Sequence, residues 1–275
     1  MSNVKLLETM CSITKIHTRF KIFDKDIRDI WESYCLVEML AIEGHRLLKA
    51  DALALLTMDT LFGGKKVLPK KDTFGAIDRL RKKSEPRSIL LEVVAHFEDY
   101  LGWLTETVLT DDPSLLKTDA PTSEREELKL INLVLDSADK QEILERIIEE
   151  KIRGIFYGNP VDFFIKPKTK LRFQKYFETK CQVQLAQYAE ITARRNVVAH
   201  NSGRVDRKYL REVTASTFKL NQVITLPPGY LHDSIILLHG LAARATELVL
   251  IGHYNSTPKG KLADRLSTCK CLPAI

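Results

Sequence analysis

The chain has 275 residues, 44% hydrophobic and 28% charged, with a net charge of +6. This is the composition of a globular protein long enough for one large or two small domains, and it excludes disordered and collagen-like chains. The most apolar segment, Ser234 to Gly252, is interrupted by His239, Arg244 and Glu247, so no membrane span is expected. Lys5 and Glu8 stand where the apolar centre of a secretory signal would lie, and five cysteines without framework spacing fit reduced thiols. Both features point to a cytoplasmic protein.

From Asp24 onward, Ile27, Ile30, Trp31, Tyr34, Val37, Leu40 and Ala41 recur at three- and four-residue steps, which predicts a helix. Phe62-Gly63-Gly64-Lys65-Lys66 and Pro69 then predict a loop. The glycine pair lacks both the first glycine and the Ser/Thr of a phosphate-binding loop. Pro86 suits the first turn of a second helix striped by Ile89, Val93, Val94, Phe97, Leu101 and Leu104. Residues 110–122 are polar and carry Pro113 and Pro121, the pattern of a linker. Ser123 and Glu126 form a capping box that predicts a new helix start. Helical stripes follow at Leu128 to Leu135, Ile143 to Ile155, Phe163 to Lys180, Val183 to Ala199 and Tyr230 to Tyr254, and strand-like alternation is confined to Gln222 to Thr225. The expected fold is mostly α: an α-rich N-terminal domain over residues 1–120, a helical bundle over 121–256, and a basic, solvated tail over 257–275. Cys269 and Cys271 in that tail have no second Cys/His pair at zinc-finger spacing.

Charge is divided unevenly. Residues 1–120 hold 18 basic and 19 acidic side chains, and residues 121–275 hold 24 and 17, so the whole basic excess lies in the second half. Between Ile165 and Arg211 there are twelve basic residues against three acidic ones. Such a concentration predicts a polyanionic partner, of which RNA is a common one, or else a solvated basic face. Lys166, Lys168, Lys170, Arg172, Lys175, Arg194, Arg204 and Arg207 are the expected RNA contacts. Phe163, Phe164, Phe173, Tyr176 and Phe177 interleave with these lysines. They are either base-stacking platforms or core residues, and at most one or two are expected to be exposed.

Within the basic region, Arg195 and His200 enclose four residues, with Asn196 directly after the arginine and Asn201-Ser202-Gly203 directly after the histidine. No other histidine has an arginine four to six positions before it. The string Arg195-Asn196-Val197-Val198-Ala199-His200-Asn201-Ser202-Gly203, followed by Asp206 and Tyr209, resembles the signature of the HEPN superfamily of helical-bundle proteins, many of which are metal-independent ribonucleases. The resemblance covers residues 123–256. It implies a homodimer with a composite cleft, Arg195 and His200 as catalytic residues, and Asn196 and Asn201 as orienting ones.

The chemistry suits these residue types. Histidine carries protons near neutrality, and arginine offers a permanently charged fork for phosphate oxygens. No carboxylate cluster or His/Cys set stands ready for a metal, and no cofactor is expected. Helix geometry adds a condition. Positions five apart lie about 140° from each other around a helix, so the helix must end near His200 or the site must form where both flanks reach. Asn201 and Gly203 are residue types that take the left-handed conformation ending a helix. The ordinary alternative is that His200 caps the last carbonyls and Arg195 decorates the surface. The expected function is therefore an endoribonuclease acting on single-stranded RNA regions by 2′-hydroxyl attack. The alternative function is a catalytically inactive HEPN-type adaptor that dimerises or binds nucleotide, RNA or a protein.

Overall fold

Stripes of Leu, Ile, Val and Ala at helical spacing leave water only by packing on one another, and that demand shapes the chain. The structure, a computed structural model, describes residues 3–53, 56–116, 139–156, 158–166, 169–267 and 272. Helix α1 (Asn3–Lys49) leads into a hairpin of β1 (Thr57–Asp59) and β2 (Lys65–Val67), then α2 (Lys70–Arg79) and α3 (Glu85–Asp111). There follow α4 (Lys140–Phe156), α5 (Asp162–Ile165), α6 (Tyr176–Lys180), α7 (Gln182–His200), α8 (Arg207–Glu212), α9 (Pro228–Tyr254) and α10 (Lys261–Ser267). The fold is mostly α and built of packed helices, as the periodicity predicts.

Packing divides the chain into two compact units, neither of them continuous in sequence. The first comprises residues 1–24, 96–192 and 236–275, and the second residues 25–95 and 193–235. The division differs from the boundary expected at residues 110–122, because α1, α3, α7 and α9 each contribute one part to each unit. Chain connectivity between the units therefore runs through helices.

In the first unit, Phe20, Phe97, Leu101, Leu104, Leu238, Leu241 and Val249 are buried from α1, α3 and α9. Ala242, Ala243 and Ala245 on α9 are buried too, and their small side chains allow close approach of neighbours. Tyr100 shares a 2.6 Å hydrogen bond with Thr246 and stacks on Phe23, so its polar tip is satisfied inside the core. His239 meets Asp24 at 2.9 Å, and Arg265 from α10 approaches the other Asp24 oxygen at 3.7 Å. The α9 helix is long and apolar enough to cross a membrane, but its most apolar stretch is 67% buried inside the protein, as a core helix is.

In the second unit, α1 buries Ile27, Ile30, Tyr34, Ala41 and Leu48, all four steps of its stripe being three, four or seven residues. They share a core with Ile89, Leu90, Val93 and Val94 of α3, Val197 and Val198 of α7, and Leu231 and Ile235 of α9. Arg81 donates to Glu38 at 2.7 Å. The hairpin tip is exposed, with Leu61 and Phe62 almost fully in solvent.

Several sequence expectations shift. Helix α1 begins at Asn3, well before Asp24. Pro86 does lie in the first turn of a helix, α3, but that helix has no free start: a π-turn over Leu80–Ser84 joins α2 to it, with Glu85 N–H bonded to Leu80 O. The widened turn accommodates a proline that has no N–H and whose ring presses on the preceding turn. The expected loop at Phe62 to Lys66 is the tip of a hairpin whose second strand begins at Lys65. Phe163 to Lys180 is not one helix but α5 and α6, separated by a segment where Lys170, Gln174 and Lys175 take positive φ. Gln222 to Thr225 yields a single antiparallel bridge, Val223 to Arg204. The tail is only partly solvated, since Leu262 and Leu266 of α10 are buried. The capping box at Ser123, the stripe at Leu128 to Leu135 and the Cys269/Cys271 pair lie outside the described residues.

Candidate functional site

The site is set by how α7 stops. Asn201 N–H still bonds the Val197 carbonyl at 3.0 Å, but Ser202 and Gly203 adopt φ of 52° and 78°, and the Gly203 N–H returns to that same carbonyl at 3.0 Å. The left-handed residues ending the helix are thus Ser202 and Gly203, while Asn201 stays right of that region and uses its side chain instead. Its Nδ2 donates to Asp206 Oδ2. The other Asp206 oxygen accepts from Tyr209 N at 2.7 Å, which caps α8. Beyond the turn, Ile224 N donates to Gly203 O at 2.8 Å and Val205 N to Gln222 O at 2.9 Å. Side-chain bonds on one flank and backbone pairing on the other hold the turn after His200 in one conformation.

His200 is the last residue of α7 and is exposed. Among the described residues its ring makes no hydrogen bond or ion pair, so it does not cap the helix carbonyls. Asn196 lies four residues earlier, half-buried, on the same helix face. Arg195 is half-buried and lies about 140° around the axis from His200, because α7 remains helical throughout. The helix ends at His200, yet it brings Asn196, not Arg195, alongside that histidine.

The expected RNA contacts divide between the units. Lys166, Lys170, Arg172 and Lys175 belong to the first and Arg194, Arg204 and Arg207 to the second, while Lys168 lies outside the described residues. Arg194 has a packing role: its guanidinium lies 3.9 Å from the Tyr230 ring centre and 5.3 Å from that of Phe218, and it donates to Thr225 O at 3.1 Å. Arg172 donates to Gly252 O and Lys166 pairs with Asp162, so both are tied within their unit. Lys175, Arg204 and Arg207 are exposed. All five interleaved aromatics, Phe163, Phe164, Phe173, Tyr176 and Phe177, are buried, which makes them core residues and removes them as base-stacking platforms.

One residue was not legible from the motif. Arg87, in the first turn of α3, lays its guanidinium on the Gly203 turn: a Cβ added at Gly203 would stand 2.9 Å from the guanidinium carbon. Nothing in the local sequence around Arg87 points there, because the pairing joins positions more than a hundred residues apart. Among the described residues no group of three or more His, Cys, Asp or Glu side chains could hold a metal.

No protein-family model matches the chain, and neither a curated protein nor a solved structure matches it. The likeness to HEPN proteins therefore rests on the motif residues between Arg195 and Tyr209.

Proposed function

We propose that this protein is a metal-independent endoribonuclease of HEPN type, acting on single-stranded RNA as a homodimer. The observation that carries the reading is His200 itself: an exposed imidazole without a structural partner among the described residues, at the end of a helix whose following turn is locked by Asn201 and Asp206. A histidine fixed at its backbone and open at its ring suits proton transfer to or from a bound substrate. In the reaction, the ribose 2′-oxygen attacks the adjacent phosphorus after losing its proton to one imidazole. The 5′-oxygen of the next nucleotide leaves with a proton from a second, and the products are a 2′,3′-cyclic phosphate and a 5′-hydroxyl. Arg195 supplies positive charge to the phosphorane, Asn196 orients the imidazole or the phosphate from the turn before, and Asn201 acts as a positioning residue through Asp206.

The geometry of α7 favours a site completed across two chains. With Arg195 and His200 on different faces of one helix, the pair that acts on a given phosphate combines residues of both protomers. The same observation favours a second reading, a binding adaptor that keeps the motif without the reaction.

The deciding experiment incubates the purified protein with end-labelled single-stranded RNA and analyses product ends. Cleavage leaving a 2′,3′-cyclic phosphate, lost in His200→Ala and Arg195→Ala with unchanged circular dichroism, is expected. RNA binding without cleavage would leave the adaptor.

A further inference from the structure

We infer that Arg87 is a second phosphate-binding residue of this site, taking a phosphodiester of single-stranded RNA at the His200 end of α7. The inference deepens the proposed function and rests on it for the identity of the anion. Arg87 is half-buried in the first turn of α3 and, among the described residues, forms neither an ion pair nor a hydrogen bond. An arginine held half-buried against the turn and lacking a carboxylate partner among the described residues keeps its planar fork of donors available for an arriving anion, where an arginine already tied in an ion pair would not.

Its place is specific. The guanidinium lies against Gly203, three residues beyond His200, in space that any side chain at 203 would fill. The nearest carboxylate along that turn, Asp206, is occupied on both oxygens by Asn201 and by the Tyr209 amide. Arg204 and Arg207, exposed on the segment that follows and paired with no acid among the described residues, add positive potential. Arg195 is turned about 140° from His200, whereas Arg87 reaches the end of the helix from another element. A planar fork in that position matches two oxygens of one phosphate.

The test uses a short fluorescein-labelled 2′-O-methyl oligouridylate, which lacks the attacking hydroxyl and so reports binding alone. Anisotropy titrations over a series of salt concentrations compare wild type with Arg87→Ala, Arg87→Lys, Gly203→Ala and, as a charge control, Lys71→Ala, an exposed residue of α2. Arg87→Ala should weaken binding about tenfold, as loss of one charge-assisted hydrogen bond does, and flatten the salt slope by about 0.7. Gly203→Ala, whose Cβ displaces the guanidinium, should act in the same direction, and Arg87→Lys should keep the slope while losing part of the affinity. Lys71→Ala should change little. Equal affinity and slope in wild type and Arg87→Ala, an equal loss in Lys71→Ala, or no binding by wild type would each overturn the inference. Wild-type binding without cleavage of ordinary RNA would instead sink the ribonuclease reading and leave Arg87 standing.

Discussion

His253 and His200 show how one side chain is assigned opposite tasks by its surroundings. Burial, with the Arg172 cation adding to it, pushes the His253 pKa down to about 4, and its neutral Nε2 accepts the Arg172 N–H at 3.1 Å. Because the folded value lies below the unfolded value near 6.5, the unfolded chain takes up a proton first as pH falls. The contribution of His253 to stability is therefore complete above pH 6.5 and is lost as the pH drops from there through about 4. In His253→Gln the melting temperature should fall less steeply across that window than in wild type, measured by circular dichroism at constant ionic strength. Parallel curves for the two proteins would refute the assignment. His200, exposed at the end of α7, has no hydrogen bond or ion pair on its ring among the described residues, which is what the proposed role in proton transfer would require.

Elements place these side chains through their ends more than their middles. The α7 helix could not present His200 at a terminus without the positive-φ pair Ser202 and Gly203, and the turn could not hold its shape without Asp206, which caps α8 and receives Asn201. Asp206→Ala removes both bonds at once. The expected cost is about 1–2 kcal/mol, read as a lower denaturation midpoint with an unchanged slope. If the proposed function holds, RNA cleavage should drop at temperatures where the variant is still fully folded, since the residue next to His200 loses its anchor. A variant with wild-type midpoint and wild-type cleavage would show that the turn holds itself. The π-turn before Pro86 is a second case, because it carries α2 into α3 without a break and so sets where Arg87 emerges.

For the whole molecule the question is how many chains make one site. The proposed reaction would need two proton carriers, and the motif supplies each chain with one exposed histidine at a locked helix end. In a homodimer, wild type co-expressed with an excess of His200→Ala would sit mostly in mixed dimers holding one such histidine. Activity should then fall well below that expected from the wild-type chains present. Activity in simple proportion to wild-type chains, or a light-scattering mass of one chain in a fully active sample, would place the whole reaction within a single protomer.

Helix content was legible from the sequence because spacing at three and four residues is a local property, and local periodicity decides which face of a helix must leave water. The stripes at Ile89 to Leu104, Ile143 to Ile155, Val183 to Ala199 and Tyr230 to Tyr254 all lie in helices for that reason. The helix end after His200 was legible too, since Asn201 and Gly203 are local stop signals, although Ser202 rather than Asn201 takes the left-handed turn. Periodicity failed between Phe163 and Lys180, where the aromatics repeat at helical spacing but serve a core reached by two short helices and a positive-φ loop. Tertiary structure alone decided that Arg194 is held between Tyr230 and Phe218, that the five aromatics are buried, that the short helix over Lys261–Ser267 packs through Leu262 and Leu266, and that Arg87 lies on Gly203. Each of these joins residues distant in the chain. Which distant surfaces meet depends on how all the apolar stripes are buried together, a condition that no short window of sequence contains.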